Sequence, residues 1–494
     1  MITVKATPFK YRLDLYEYLA ANKEKILQEA ERVGQALNVP SEIKGAFGTS
    51  GANSALPGTM RSDILRAIEK RMAKVETLRG LGDEIRRIVK SYYGDDYDAA
   101  PTNSCEAALG AVYAALLTPP LIGRGEPYRA RCVGLLERHA EHHLSYGRPF
   151  PPMRKDMFAD RGATAGELGV LGRSNLNTDI VFVPMTGASY PLHGIKSYPT
   201  ALLAKTDAAA TALGVRRAAQ IHAANLSGFV SLGYDTRGYG YAEKAPDGAP
   251  ALQRSIGEIA ADFGVPYVSD NAWGMPFLGT DPRATRASVM LYSMDKVTGS
   301  PTSGLIIGRE DAMVNVRRTL GIHGERFGAT SAHGKASHVA ADPGKMAMAG
   351  MLAALETLRE RPEVVARPID VTHEIVLDEY RAAQDALGDG IVITKSYNMG
   401  GVEINYEGTW SSQRFGIPIF NNEDRVAGSH LLNSCTAKMG ALLGIADDGN
   451  VIVNPGLGTV DRSGTVIEDR MRLAVRILFR SMVLLREWSE KGPQ

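Results

Sequence analysis

The chain has 494 residues, 44% of them hydrophobic and 22% charged, with a formal net charge of +1. That length is more than one small core needs and predicts a large domain with smaller ones beside it. The near-neutral balance holds no basic excess to grip a phosphodiester chain, which argues against nucleic acid as a partner.

The three cysteines, Cys105, Cys132 and Cys435, are too few for a disulfide framework and predict a reducing, cytoplasmic setting. They also lack the spacing of zinc ligands, so no metal is expected. The opening stretch MITVKATPFKYRLDLYEYL has no apolar signal core, and no window approaches the roughly 18 apolar residues of a membrane span.

In chain order, residues 9–40 carry leucine and isoleucine at helical intervals and predict a helix. The Gly/Ser/Asn-rich loop GAFGTSGANSALPGT (45–59) is either a linker or a segment lying against a ligand. Residues 61–93 return to a helical, charge-rich pattern. From about 95 to 310, short apolar runs alternate with amphipathic stretches. The runs RCVGLLE (131–137), DIVFVP (179–184), AAQIHAA (218–224), VPYVSD (265–270), ASVMLYS (287–293) and SGLIIG (303–308) read as strands. Such alternation predicts an α/β fold with a mostly parallel sheet covered on both faces. Ligands of such sheets sit at the carboxyl ends of the strands. The Ala/Met-rich segment 336–361 predicts a joining helix, with Pro343 and Gly344 near its start, and 365–494 reads as a smaller α+β domain. The expected division is an N-terminal arm and helix (1–60), a large domain (61–335), and a small C-terminal domain with its linking helix (336–494).

Three stretches carry chemistry. In APTNSCEAAL, residues Thr102, Asn103, Ser104 and Cys105 precede an Ala-rich helix. Small hydroxyls and free amides at a helix start cradle an anion, or Ser104 or Thr102 simply caps the helix. The glycines and Lys-Ser pair of a P-loop are missing. Asp270 ends an apolar strand, where a carboxylate is costly without a positive partner. It either caps the following turn or is held for a cationic ligand nitrogen. Lys296 follows the next strand run and so reaches the same sheet edge. A lysine in a partly dry cleft has a lowered amine pKa and reacts with aldehydes. The alternative is a structural Asp270–Lys296 salt bridge. An anion cradle, a strand-end acid and a strand-end lysine, in that order, are what pyridoxal 5'-phosphate requires.

At this point the chain resembles the fold-type I pyridoxal-phosphate enzymes, the aspartate aminotransferase superfamily, over roughly residues 60–494. TNSCEAAL, EHHLS (141–145), IHAANLSG (221–228), SDNAWG and DKVTGSPTSGLIIG are similar to segments of its cysteine desulfurase branch. SMDKVTGSPTSGLIIG is also similar to a stretch of the selenocysteine synthase-like enzymes, and DNAWG to one of amino-acid decarboxylases. The resemblance implies catalytic roles for Lys296, Asp270 and His142. It implies that Thr102, Asn103, Ser104, Cys105, His142, Asn225, Asp270, Ser293 and Lys296 hold the cofactor. His142 would stack on the ring and Asn225 would touch its phenolic oxygen. Arg326, His333 and Lys335 would meet the substrate or the neighbouring subunit of a homodimer. Asp295 departs from the histidine that desulfurases and decarboxylases carry before the lysine. Cys435 sits near the desulfurase sulfur acceptor in order, but its segment reads as a helix with a buried apolar face. Asn454 stands near the position of the desulfurase substrate arginine, leaving Arg414, Arg425 or Arg462 as alternatives.

The expected activity is a pyridoxal-phosphate-dependent lyase or β-replacement enzyme acting on an amino acid or amine through a carbanion at the α-carbon. The alternatives are a decarboxylase, a cysteine desulfurase, an aminotransferase, and a non-enzymatic relative that only binds the cofactor.

Overall fold

A computed structural model describes residues 8–51, 54, 56–118, 130–137, 178–188, 202–320, 341–410, 416–419 and 431–493. The first helical stretch forms two helices, α1 (Pro8–Ala21) and α2 (Lys23–Ala36), separated at Asn22. Residues 61–93 likewise form two, α3 (Ser62–Met72) and α4 (Leu78–Tyr93). Thr77 starts α4 by accepting the Gly80 amide at 3.0 Å, and Leu81, Ile85 and Val89, spaced four apart, form its buried stripe.

The large sheet contains β1 (Tyr97–Thr102), β2 (Ala130–Leu136), β3 (Thr178–Pro184), β4 (Leu226–Leu232), β5 (Tyr267–Asp270), β6 (Val289–Ser293) and β7 (Gly304–Arg309). Among the described residues its order is β1-β7-β6-β5-β4-β2-β3. Only β7 runs against its neighbours, β1 and β6; the other pairings are parallel. Between the strands lie α5 (Cys105–Val112), α6 (Ala208–Ile221), α7 (Ala251–Phe263) and the short α8 (Pro282–Thr285), and α9 (Glu310–Leu320) follows β7. Strand periodicity divides the core between the two faces. Met290, Tyr292, Leu305 and Ile307 join one cluster, while Val289, Leu291 and Ile306 join the other. Both faces are therefore buried, as parallel sheets require.

One expected strand is overturned. Residues 218–224 are not extended; AAQI closes α6, which Asp207 caps by accepting the Ala210 amide at 2.8 Å. Alanine-rich sequence favours helix, and the strand is instead the next run, LSGFVSL, which forms β4.

The remaining chain forms α10 (Lys345–Glu360), α11 (Glu363–Leu387), β8 (Val392–Ser396), β9 (Gly401–Asn405), α12 (Leu431–Met439), β10 (Ile445–Asp447), β11 (Asn450–Val453) and α13 (Glu468–Glu490). Gly344 caps α10, with Pro343 just before it, as the sequence predicts. The four strands make an antiparallel sheet in the order β10-β11-β9-β8. Its core takes Ile404 and Val451 from the sheet, Leu478 from α13, and Leu15, Leu19, Ile26 and Ala30 from α1 and α2. The architecture is thus α/β, with a mostly parallel sheet and a second, smaller α+β body. Two buried carboxylates tie the bodies together. Glu403 on β9 accepts the amides of Arg237 and Gly238 at 3.1 and 2.7 Å, and Glu407 accepts those of Leu203 and Ala204 at 3.0 and 2.7 Å. Among the described residues no helix is long and apolar enough to cross a membrane.

Candidate active site

The carboxyl edge of the parallel strands assembles the site. Register pairs Leu232 with Asp270, and Asp270 with Leu291. Asp270 therefore ends β5 level with β6, and the chain beyond β6 passes Ser293 and turns through Lys296. The carboxylate of Asp270 is 2% exposed and accepts the Ala272 amide at 3.2 Å. That contact is the turn cap foreseen from the sequence. It takes up one oxygen and supplies no charge, and no ion pair joins Asp270 to Lys296 among the described residues. The structural salt bridge is therefore not formed.

Lys296 is half-buried and opens on a cavity of about 270 Å³. Its ammonium lies 5.6 Å from the centre of the Trp273 ring, and Trp273 stacks on Tyr234 at 5.0 Å and 11°. Loss of hydration lowers the Lys296 pKa below its usual 10.5, against the raising pull of Cys105, Asp270 and Asp295. Burial thus favours the neutral amine, the form that attacks an aldehyde.

The start of α5 faces the same group of charges. Ser104 caps this helix, accepting the Ala107 amide at 3.2 Å and donating to the Asn103 side chain at 3.2 Å. The Thr102 hydroxyl donates to the Ser104 carbonyl at 2.8 Å, and the Asn103 amide donates to the Ala341 carbonyl at 2.8 Å. The capping reading of Ser104 is thus realised, and the turn it fixes lies beside β7. A Cβ on Gly304 would stand 2.3 Å from the Ser104 carbonyl oxygen and 2.4 Å from the Thr102 hydroxyl, so only glycine permits that approach. Burial, with the nearby Asp270 charge, raises the Cys105 thiol well above its usual range, while Lys296 pulls it down. Cys105 is therefore a protonated neighbour of the lysine and the acid. Ser293, at the end of β6, donates its hydroxyl to Asp295 at 2.6 Å, and Asp295 lines the Lys296 cavity.

Other expected positions fall elsewhere. Asn225 precedes β4, seven residues before the Leu232 that pairs with Asp270, so it lies roughly 23 Å away at the opposite edge of the sheet. The error follows from reading 218–224 as the strand: the true strand begins after Asn225 rather than ending before it. Cys435 is fully buried on α12 in the core of the second body and does not line the cavity. Asn454 donates to the carbonyls of Met399 and Gly400 at 2.9 and 3.0 Å, tying the two bends together. His142, Arg326, His333, Lys335, Arg414 and Arg425 lie outside the described residues.

Two contributions were not anticipated as such. The 45–59 loop lines the Lys296 cavity through Gly51, Ser54, Pro57, Gly58 and Thr59. A Cβ on Gly51 would stand 1.9 Å from the Pro455 carbonyl oxygen, so this loop packs directly on the second body. Arg61, immediately after it, lines the same cavity. Its sequence context, MRSDI at a helix start, reads as an ordinary surface arginine.

The donor set suits pyridoxal phosphate. A desolvated lysine, a buried acid with no ion pair among the described residues and a capped helix start meet at one sheet edge, and each answers one part of that molecule.

No protein-family model matches the sequence, and no curated protein matches it. Solved structures do. An S-selective transaminase from Bacillus megaterium is similar with a TM-score of 0.52 at 12% identity, over 86% of this chain and 86% of that one. An ornithine aminotransferase from Toxoplasma gondii, whose own active site holds pyridoxal phosphate at partial occupancy, is similar with a TM-score of 0.50 at 13% identity, over 90% of each chain. At these identities the likeness is one of fold, and it agrees with the sheet order and the single reversed strand: the chain has the aminotransferase fold.

Proposed function

We propose that this protein is a pyridoxal-phosphate-dependent enzyme that acts at the α-carbon of an amino acid. The observation that carries the reading is the pairing of Lys296 and Asp270 on adjacent strand ends, one desolvated and the other buried without an ion pair. When bound, the cofactor supplies an aldehyde that condenses with amines and a ring that accepts the electron pair left at the α-carbon.

The chain's own residues do the rest. Lys296 would hold the aldehyde and would serve as the general base at the α-carbon, its proton affinity reduced by burial. Asp270 would hold the proton on the ring nitrogen. Thr102, Asn103, Ser104, Cys105 and Ser293 would hold the phosphate, and Asp295 accepts from the Ser293 hydroxyl. Trp273, stacked on Tyr234, forms an aromatic wall beside Lys296 that excludes water. His142 serves as the stacking group, Arg326, His333 and Lys335 meet the substrate or the other subunit, and the working form is a homodimer in the cytoplasm.

Among reactions, elimination or β-replacement is favoured over decarboxylation and transamination, on the likeness of the lysine segment to selenocysteine synthase-like enzymes. Burial of Cys435 away from the cavity speaks against the desulfurase route. The test is a panel of amino acids added to cofactor-loaded protein. Release of ammonia with an oxo acid, or capture of an added thiol or selenol at the β-carbon, supports the reading. Carbon dioxide alone, or a pyridoxamine product alone, replaces it with decarboxylation or transamination. Silence across the panel leaves a cofactor-binding protein.

A further inference from the structure

The turn between β8 and β9, residues 397–400, reaches from the second body to the sheet edge that carries Asp270 and Lys296. Its Asn398 is 2% exposed, and every hydrogen-bonding position of the side-chain amide is taken. Nδ2 donates to the Gly233 carbonyl at 2.8 Å and to the Asn271 side chain at 3.2 Å. Oδ1 accepts from the Asn271 side chain at 3.0 Å and from the Thr280 backbone amide at 2.9 Å. These partners fix the amide's orientation. Turned over, it would set its oxygen against the Gly233 carbonyl and its amino group against the Thr280 N–H.

Each partner borders the reacting pair. Gly233 follows the Leu232 that pairs with Asp270, and its amide donates to the Asp270 carbonyl at 2.6 Å. Asn271 follows Asp270 directly and is fully buried. Asn271 and Thr280 open and close the loop that carries Trp273, the ring 5.6 Å from the Lys296 ammonium. One side chain thus pins the end of β4 and both ends of that loop. The same turn meets the residue after Lys296, because a Cβ on Gly400 would stand 2.2 Å from a Val297 methyl. Asn454 braces the turn through the Met399 and Gly400 carbonyls. Glu407 joins the bodies elsewhere, at the amides of Leu203 and Ala204.

We propose that Asn398 is a positioning residue: through this one amide, the seating of the second body sets the end of β5 and the Trp273 loop relative to Lys296. This rests on the function proposed above and names what that site requires from the second body.

The experiment compares full-length wild type with three variants. Asn398→Asp keeps the shape but loses both donors, Asn398→Ser is the milder truncation, and Glu407→Gln weakens the other contact between the bodies. In the first arm, cofactor-free protein is treated with acetaldehyde and cyanoborohydride across a pH series, and alkylation of Lys296 is read by peptide mass. The wild-type midpoint should lie below 10.5. A loosened Trp273 loop admits water, so both Asn398 variants should raise the midpoint by about one pH unit, and Glu407→Gln should not. In the second arm, cofactor-loaded protein turns over its best amino acid. In the Asn398 variants kcat should fall roughly 100-fold with KM little changed, the signature of misplaced groups rather than lost binding. Chemical denaturation ranks the variants by stability. A midpoint and a kcat that simply follow stability across all three variants would leave Asn398 a structural role and overturn the proposal. An unmoved midpoint, an unchanged kcat, or the failure of both Asn398 variants to fold would overturn it too. If the wild type loads no cofactor, the function proposed above fails instead, and the first arm still decides the role of Asn398.

Discussion

Removing Lys296 from water, with no ion pair to it among the described residues, favours its neutral amine, and this has a pH signature. Because the folded pKa lies below 10.5, the unfolded chain holds more protons between the two values, and stability contributed by this group rises with pH across that window. Capture of an aldehyde by Lys296 should rise through the folded pKa, so its midpoint should fall below 10.5; borohydride trapping across a pH series, read by peptide mass, measures it. An ordinary midpoint would mean that the amine is solvated. Asp270→Asn keeps the shape and the Ala272 contact but removes the charge. It should leave the fold intact and lower turnover by about 10²–10³-fold, the range seen when a charge-stabilising contact is lost. Both residues were legible in the sequence because each is a costly charge at the end of an apolar strand. Arg61 was not, because nothing local distinguishes it from a solvated arginine; only its burial beside the cavity does.

Elements were read well where their periodicity was unmixed. The runs at 131–137, 179–184, 265–270, 287–293 and 303–308 all became strands, and Gly344 begins α10. The run at 218–224 failed because four of its seven residues are alanine, which fits a buried helix face as readily as a strand and in practice prefers the helix. That one shift carried Asn225 to the wrong edge of the sheet. The reversal of β7 was equally invisible, since an apolar run buried on both faces reads the same in either direction. The close approach of β7 to the α5 turn gives a prediction at this scale. Gly304→Ala sets a Cβ against the Ser104 carbonyl, a backbone atom that cannot rotate away. It should cost about 1–3 kcal/mol in chemical denaturation and weaken cofactor retention with it. Wild-type stability and retention would mean that the helix start is free to move.

At the scale of the whole molecule, the site depends on both bodies. Lys296 and Asp295 line the cavity from the large-sheet side, while Pro455, Gly456 and Val460 line it from the second body. Glu403 and Glu407 hold the two in register through backbone amides on the large-sheet side. The sequence suggested the two bodies by their change of texture but could not indicate that α1 and α2 pack with the C-terminal sheet, because that contact joins opposite ends of the chain. The central claim is covalent and specific to one side chain. Protein loaded with pyridoxal phosphate, reduced with borohydride and digested should carry the cofactor's mass on the peptide containing Lys296, and Lys296→Ala should lose both the adduct and turnover. An adduct on another lysine, no adduct, or a Lys296→Ala variant with unchanged absorbance and turnover would contradict the account.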